Sequence, residues 1–444
     1  MAAKKYFNEK KGAVRFIGFS LIGIFLFFIQ VPFGNGRKIP IDIIITVIRQ
    51  FFGNFLPYFV LLIGLFGMID IFLIRKTYKG SKTAVAMTIC KILGFLMIVA
   101  SVFQFGPYFL IKPEIGPYTV NLLGGPVGIT ILIGSLFLPL LLEYGLADAL
   151  GVLLRPIMRP VFKIPGRTAI VAVTAFFGNF ALGHIGIEKM YKQGQCTGKE
   201  SAIVGTGFAT ASIVTFMVFA NMVGIMDQWN LYFILTVICT FGITAITCRI
   251  YPLRHIKNTY YPKVTPDPEP EYKTNVFKNA FLEGIKSAET ATPLIENIAL
   301  QVKDTLFVLG GMLTSGMFFM AGALIIKEHT EIFTWIGYLF WPFLSLVKMP
   351  DMAIAIDACG ISILDSMLAA AVGANALQDG IMLAMTTRYF LAVLPVSMIV
   401  FFSGFIPCIL STEIPIKLHE LIILWFIRVV LTIFIIGIFG LLFL

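Results

Sequence analysis

Long apolar runs separated by short polar stretches set the pattern of this chain. A helical bilayer crossing takes ~20 apolar residues. Nine runs meet or approach that length, at 16–33, 55–74, 84–106, 127–142, 201–224, 230–250, 304–326, 381–404 and 420–443. The stretches between them predict elements that do not cross. A short apolar segment at 41–52 is expected in the interface, and a Pro/Gly-rich external loop at 106–126. Leu146, Leu150, Leu153 and Ile157 recur at helical spacing with Asp148, Arg155 and Arg159 between them, which predicts an amphipathic surface helix. Phe277, Phe281, Ile285 and Ala288 form a second such stripe, ended by Pro293. Ile332–Leu346, with Trp335 and Trp341, predicts a third, on the outside, where tryptophans favour the interface.

Two apolar stretches are too interrupted for a plain crossing. The first, 165–187, opens at Pro165-Gly166, breaks at Gly178-Asn179 and closes at His184 and Glu188. The second, 350–373, opens at Pro350, with its break expected at Cys359-Gly360 between Asp357 and Asp365. Both read as re-entrant hairpins. Lys163 and Lys348, Pro165 and Pro350, and Glu143 and Glu328 are each separated by 185 residues, so the second stretch reads as a copy of the first.

Charge orients the pattern. Lys4, Lys5, Lys10, Lys11 and Arg15 precede the first run, and Arg75, Lys76, Lys79 and Lys82 follow the second. Basic loops stay in the cytoplasm, which predicts an N-in, C-out chain whose hairpins enter from opposite sides. The first run lacks a small-residue cleavage site and reads as a retained helix. The fold expected is therefore an all-α polytopic membrane protein, with about nine transmembrane helices and two re-entrant hairpins in an inverted repeat. Its divisions are scaffold helices over 1–126, one repeat over 127–251, a cytoplasmic linker and surface helix over 252–302, and the inverted repeat over 303–444. Pro262, Pro266, Pro268 and Pro270 among charged residues mark the linker.

Composition agrees. Of 444 residues 58% are hydrophobic and 13% charged, with mean hydropathy +0.90, a balance that excludes a water-soluble domain. The net charge of +10 follows from the basic cytoplasmic loops, so nucleic acid is not an expected partner. Membrane lipid is. The six cysteines form no CxxC pair and the four histidines no HExxH, so neither a disulfide framework nor a metal site is expected. The run GQCTGKES at 194–201 has the wrong spacing for a phosphate-binding loop. No nucleophile–base pair is evident, so no enzyme is expected and no cofactor. Uphill transport would draw on an Na+ or H+ gradient.

Broken helices inside a bilayer leave backbone groups that suit a polar solute or ion. On that ground the candidate solute-binding residues are Gly178, Asn179, His184, Asp357, Ser362, Asp365, Thr210 and Arg388. Each has a plainer alternative. Asn179 is either a ligand or a helix cap, and His184 a ligand or a packing residue. Asp357 and Asp365 are ionisable groups at membrane depth, which are costly unless used. Ser362 either ligates or bonds its own turn. Arg388 either snorkels to the interface or meets a carboxylate. Thr210 lies with Thr206, Ser212 and Thr215 on a stripe that serves either packing or ligand contact.

KIPGRTAIVAVTAFFGNFALGHIGIEKMY at 163–191, the helix after it, and the second copy at KMPDMAIAIDACGISILDSML carry a resemblance. They resemble the nucleoside-recognition, or Gate, domain, and the whole chain resembles the YjiH family of bacterial membrane proteins. The resemblance covers about 127–444, and the N-terminal third more loosely. Similar units occur in concentrative nucleoside transporters and in the membrane part of ferrous-iron transporters. It implies facing hairpins around a central solute site in a bacterial cytoplasmic membrane. Where the nucleoside carriers have a Gly-Gln-Thr-Glu type cluster, this chain has Gly178-Asn179-Phe180-Ala181, so the Gly and one amide carry over. The expected function is ion-gradient-driven transport of a small polar solute, a nucleoside or nucleobase. The alternatives are an amino-acid or dipeptide carrier, or an accessory membrane protein that docks other proteins. A second copy of the chain or another membrane subunit is a candidate partner.

Overall fold

The computed structural model describes residues 9–33, 36–74, 78, 82–177, 180–267, 275–410 and 412–443. It is a multi-pass α-helical protein with seven helical stretches long and apolar enough to cross a membrane. The first is α1 (Glu9–Phe28), followed by a short β1–β2 ribbon (Val31–Phe33 and Gly36–Lys38). Then come α2 (Pro40–Phe52) and α3 (Leu56–Ile69), bent at Gly53, and α4 (Lys82–Phe103). The α2–α3 stretch, Pro40–Ile74, has 35 residues. At 1.5 Å per residue it is ~50 Å long against a ~30 Å hydrocarbon core, so the bend lets α2 lie aslant.

The loop expected at 106–126 is instead helical. α5 (Tyr108–Ile111), α6 (Gly116–Leu122), α7 (Thr130–Phe137) and α8 (Pro139–Leu142) run nearly end to end, and Tyr108–Phe137 is one candidate span. Pro117 falls in the first turn of α6, where a missing N–H costs nothing. The Gly124-Gly125-Pro126 run falls inside a wider π turn at Leu123–Ile129. Breaker residues were thus placed where the helix tolerates them.

The surface helix α9 (Leu146–Ile157) forms as expected, packed on α15 (Val276–Thr290) and continued by α10 (Ala169–Phe177) and α11 (Phe180–Lys192). Gly145, at φ +91°, opens α9 against the backbone of Gly284, where a Cβ would collide. α10 and α11 lie antiparallel, with Gly183 on Ala175 and Gly186 on Val171. Beyond them are α12 (Gly198–Gly207), α13 (Ile213–Met222), α14 (Trp229–Thr247) and the 36-residue α16 (Leu294–His329). α17 (Ile332–Tyr338) and α18 (Trp341–Leu346) are short and leave both tryptophans more than half exposed. α19 (Met352–Ile361), α20 (Ser366–Gln378), α21 (Met385–Ser397), α22 (Phe405–Leu410) and α23 (Leu418–Phe443) complete the chain.

Two expected crossings are not continuous. The run at 201–224 stops at Gly207 and restarts at Ile213, and the run at 381–404 stops at Ser397 and restarts at Phe405. Ser212 caps the restart by accepting the Thr215 N–H. Pro395 precedes the second interruption. The break expected at Cys359-Gly360 also moves, to Ser362–Asp365. Gly360 lies inside α19, and a Cβ there would strike the Phe333 carbonyl and Gly337, so the glycine serves close packing of α19 on α17.

Contacts gather the chain ends of these elements on two faces. On one face Arg15 donates to the Glu289 and Thr292 carbonyls and Tyr144 to that of Thr292, while Gly198 donates to Thr259. On the other, Trp229 donates to Phe27, Gln30 to Asp227 and Tyr389 to Gln228, and Lys112 pairs with Glu328. The α10–α11 pair is based on the first face and α19–α20 on the second, where Ala384 N–H donates to Asp351.

Candidate functional site: a junction of helix breaks

Segment 398–404, between α21 and α22, is the junction. Ile399 there holds φ +62°, a conformation costly for a β-branched residue, of order 1–3 kcal/mol. Such strain persists only when the surroundings hold it. Here they do: Phe402 N–H donates to the Ile363 carbonyl at 2.8 Å and Ser403 N–H to that of Leu364 at 2.9 Å. The Ser403 hydroxyl donates to Asp365. Asp365 also caps α20, accepting the Met367 N–H at 2.6 Å, so both its oxygens are used. The turn of α19–α20 is therefore stitched to the interrupted helix.

The α10–α11 pair reaches the same segment with aromatic side chains. Phe180, the first residue of α11, packs on Phe401 at 5.8 Å and on Phe405 at 6.1 Å between ring centroids. His184 lies edge-on to Phe405 at 4.8 Å. Its Nε2 faces the Gly205 carbonyl of α12 at 3.0 Å, which makes Nε2 the protonated nitrogen, and Nδ1 has no partner among the described residues. In the other break, Thr210 is buried and donates to its neighbour Ala211 at 3.1 Å.

Arg428 of α23 ties the two interruptions together, and nothing in the apolar pattern singled it out. It is fully buried. Its Nε donates to the Ser397 carbonyl, the last of α21, at 2.6 Å, and its Nη1 to Thr244 Oγ1 at 3.4 Å. The Thr244 hydroxyl in turn lies 2.8 Å from the Gly207 carbonyl, the last of α12, and shares its proton between that oxygen and the Thr240 carbonyl of its own helix, also at 2.8 Å. Helix C-termini carry partial negative charge, so the guanidinium lies where two half-helix ends need a cation. It pairs with no carboxylate among the described residues, and Nη2 has no partner. The available signal was that Arg428 is the one charged residue between Leu421 and Leu444.

His184 and Asp365 thus lie at the junction, while Thr210 stays in the α12–α13 break, bonded to its own neighbour. Gly178 and Asn179 lie outside the described residues. Ser362 turns away: its hydroxyl donates to Cys359 at 2.8 Å and accepts the Trp425 indole N–H at 3.1 Å. Asp357 does not flank the break. It sits inside α19 and accepts the Thr334 hydroxyl of α17 at 2.8 Å. Arg388 is near the second face, donating to the Leu383 carbonyl at 3.2 Å. No group of His, Cys, Asp and Glu side chains among the described residues could hold a metal ion.

An open cavity of about 690 Å³ lies on the second face, at the base of α20. Lys112, Tyr118, Glu328, Asn375 and Asp379 line it, and the Tyr118 hydroxyl and Asn375 Oδ1 have no hydrogen-bond partner among the described residues. Polar atoms without partners beside a cavity of that size suit a hydrated passage.

Fold and junction together define a multi-pass helical membrane protein with a set of buried polar groups joined across its helix breaks. Residues 125–226, which contain α10–α11 and the α12–α13 interruption, match the Gate family model, described as nucleoside recognition. An uncharacterised protein of Alkalihalophilus pseudofirmus is 29% identical over 435 residues, covering 94% of this chain and 92% of that protein. Among solved structures, CNTnw in an inward-facing substrate-bound state is 14% identical, with a TM-score of 0.44 over 100% of this chain and 94% of its own. A doubly substituted CNTnw in an outward-facing state gives a TM-score of 0.45 at 14% identity, covering 99% of this chain and 94% of its own.

Proposed function

We propose that the protein carries a small polar solute, of the nucleoside or nucleobase class, across the membrane by secondary transport. One observation carries the reading. The segment matching a nucleoside-recognition family, 125–226, contains a helix pair and a broken helix that converge on the same junction as a second helix pair and a second broken helix. Two interruptions at one depth supply backbone donors and acceptors that can replace solute hydration, as discontinuous helices do in transporters generally. In this reading α10–α11 and α19–α20 are re-entrant hairpins of inverted repeats over 108–251 and 294–444. Asn179 meets the solute from one turn, with Thr210 and Asp365 beside it. His184 orients the first turn through Gly205, and the cavity at Tyr118 and Asn375 is the outer vestibule.

The test is uptake by proteoliposomes of labelled uridine, adenosine, uracil, amino acids and dipeptides, each under an inward Na+ gradient, an inward H+ gradient or none. Uptake of a nucleoside or base that depends on one gradient is expected. Gradient-dependent uptake of amino acids or dipeptides alone would replace the solute class, and no uptake of any compound would favour an accessory role. Sidedness is checked separately in a cysteine-free background. Lys189→Cys and Met382→Cys, both at exposed positions, should react from opposite faces, and reaction from one face would reject the inverted arrangement.

A further inference from the structure

Away from the junction, on the face of the α10–α11 base, lies an open cavity of about 610 Å³ with a strongly basic lining. Arg159, Lys163, Lys199, Arg249 and Arg254 contribute to it, against one acid, Glu200. Glu200 offsets one of these five positive charges and leaves the lining strongly basic. Its carboxylate accepts the N–H and the hydroxyl of Thr197 in the capping box that opens α12. Lys163, Lys199, Arg249 and Arg254 pair with no carboxylate among the described residues. Some of this charge has a local use: Arg249 donates to the Pro160 carbonyl at 3.0 Å and Lys199 to that of Arg254 at 3.1 Å. Carbonyls are neutral, however, and like charges crowded into one concavity repel unless an anion joins them.

The surroundings say what kind of anion. Leu231, Ile234, Ile238 and Ile246 of α14, then Ile250, are exposed along a face that ends at Arg249 and the cavity. In a membrane-spanning helix that face meets lipid tails, and the cavity stands where the tails give way to headgroups. Tyr251, exposed beside Ile250, suits that level as well. Basic recesses at the cytoplasmic end of crossing helices are fitted to phosphate-bearing headgroups, and Lys and Arg forks hold phosphate oxygens by charge-assisted hydrogen bonds.

We propose that this cavity binds the headgroup of an anionic phospholipid, with an acyl chain along the exposed face of α14. The site sits against the start of α12 and the end of α14, the two helices whose Gly207 and Thr244 meet at the junction. A bound lipid would brace the cavity end of each against the membrane. This inference does not depend on which solute is carried.

The full-length protein, purified in neutral detergent, is titrated with phosphatidylglycerol, with phosphatidylcholine of the same acyl chains, and with inorganic phosphate. Bound lipid is read by native mass spectrometry and stability by thermal denaturation. The wild type is expected to bind phosphatidylglycerol at least tenfold more tightly than phosphatidylcholine, with a rise in its melting temperature. The variant Lys163→Asn with Arg254→Gln should lose most of that preference. Asn is chosen because it tolerates the left-handed backbone at position 163 (φ +62°). The wild-type comparison stands by itself if the variant folds poorly. Equal binding of the two lipids, an unchanged preference in a folded variant, or displacement of the lipid by millimolar phosphate would each overturn the proposal.

Discussion

The two broken-helix units meet at one place but are built from different chemistry. In the second unit the break is closed by hydrogen bonds, through Asp365, Ser403 and the backbone pairs of 402–403 with 363–364. In the first, Phe180 occupies the position 185 residues before Asp365, and the contact to the junction is aromatic. α14, the partner helix that carries Thr244, has no charged residue to match Arg428. One arginine therefore serves the C-terminal ends of both half-helices, directly at Ser397 and through Thr244 at Gly207. The two units do not divide the work evenly. A polar, cross-linked unit holds its geometry, whereas a unit held by aromatic packing can slide on its partner at little cost, because dispersion contacts are non-directional and hydrogen bonds are not.

That contrast can be broken most forcefully at Arg428. Arg428→Ala removes the cation from two helix ends and leaves a void, with an expected loss of about 3–5 kcal/mol. Its melting temperature in detergent and its solute uptake should both collapse, while Ile243→Val, a buried apolar change in α14 one residue from Thr244, should cost only about 0.5–1.5 kcal/mol and keep uptake. Equal stability of Arg428→Ala and wild type would remove the asymmetry.

Asp365 gives the next largest effect. Asp365→Ala should cost about 1–2 kcal/mol, because a helix loses its cap and Ser403 its acceptor. Asp365→Asn keeps a good cap and most of the stability, but loses the charge beside the proposed solute site, so uptake should fall while the melting temperature barely moves. Asp357→Asn, on the α17 side of α19, should affect uptake less. If the two Asn variants transport alike, the junction is not where the carboxylate matters.

His184→Phe keeps the packing on Phe405 but gives up the bond to Gly205, at about 1 kcal/mol. Thermal denaturation should record that loss, and a larger one would mean that the first unit is hydrogen-bonded more tightly than its aromatic contacts suggest.

The smallest effect lies at the base of α11. Glu413 accepts the Tyr261 hydroxyl and pairs with Lys192 at 3.1 Å, which holds its carboxyl below the ordinary carboxylate range. Lys192 also meets Glu188 at 2.9 Å, and both acids hold its ammonium above its ordinary value. A depressed carboxylate contributes above its unfolded pKa and loses that contribution as pH falls through the folded value. The clasp between α11 and the segment before α23 should therefore open only below about pH 4. Hydrogen exchange at 412–417, compared between pH 7 and pH 3.5, should report the opening. Unchanged exchange would mean that the clasp does not depend on these charges.

Apolar run length and basic loops by themselves were enough for an all-α, multi-pass membrane protein, because lipid admits few other ways to satisfy a backbone. The 185-residue offset was legible from three landmarks, and the interrupted character of 165–187 and 350–373 from Pro and Gly. Only tertiary structure decided where breaks fall. Gly360 looked like a break and proved to be a packing surface, while the interruptions at 208–212 and 398–404 carry residues that also suit a continuous helix. Breaker residues report local cost, and a neighbour's contacts can outweigh it. The convergence of His184, Asp365 and Arg428 was out of reach for the same reason: these residues are brought together by packing between elements, and no spacing along the chain records which helix faces which.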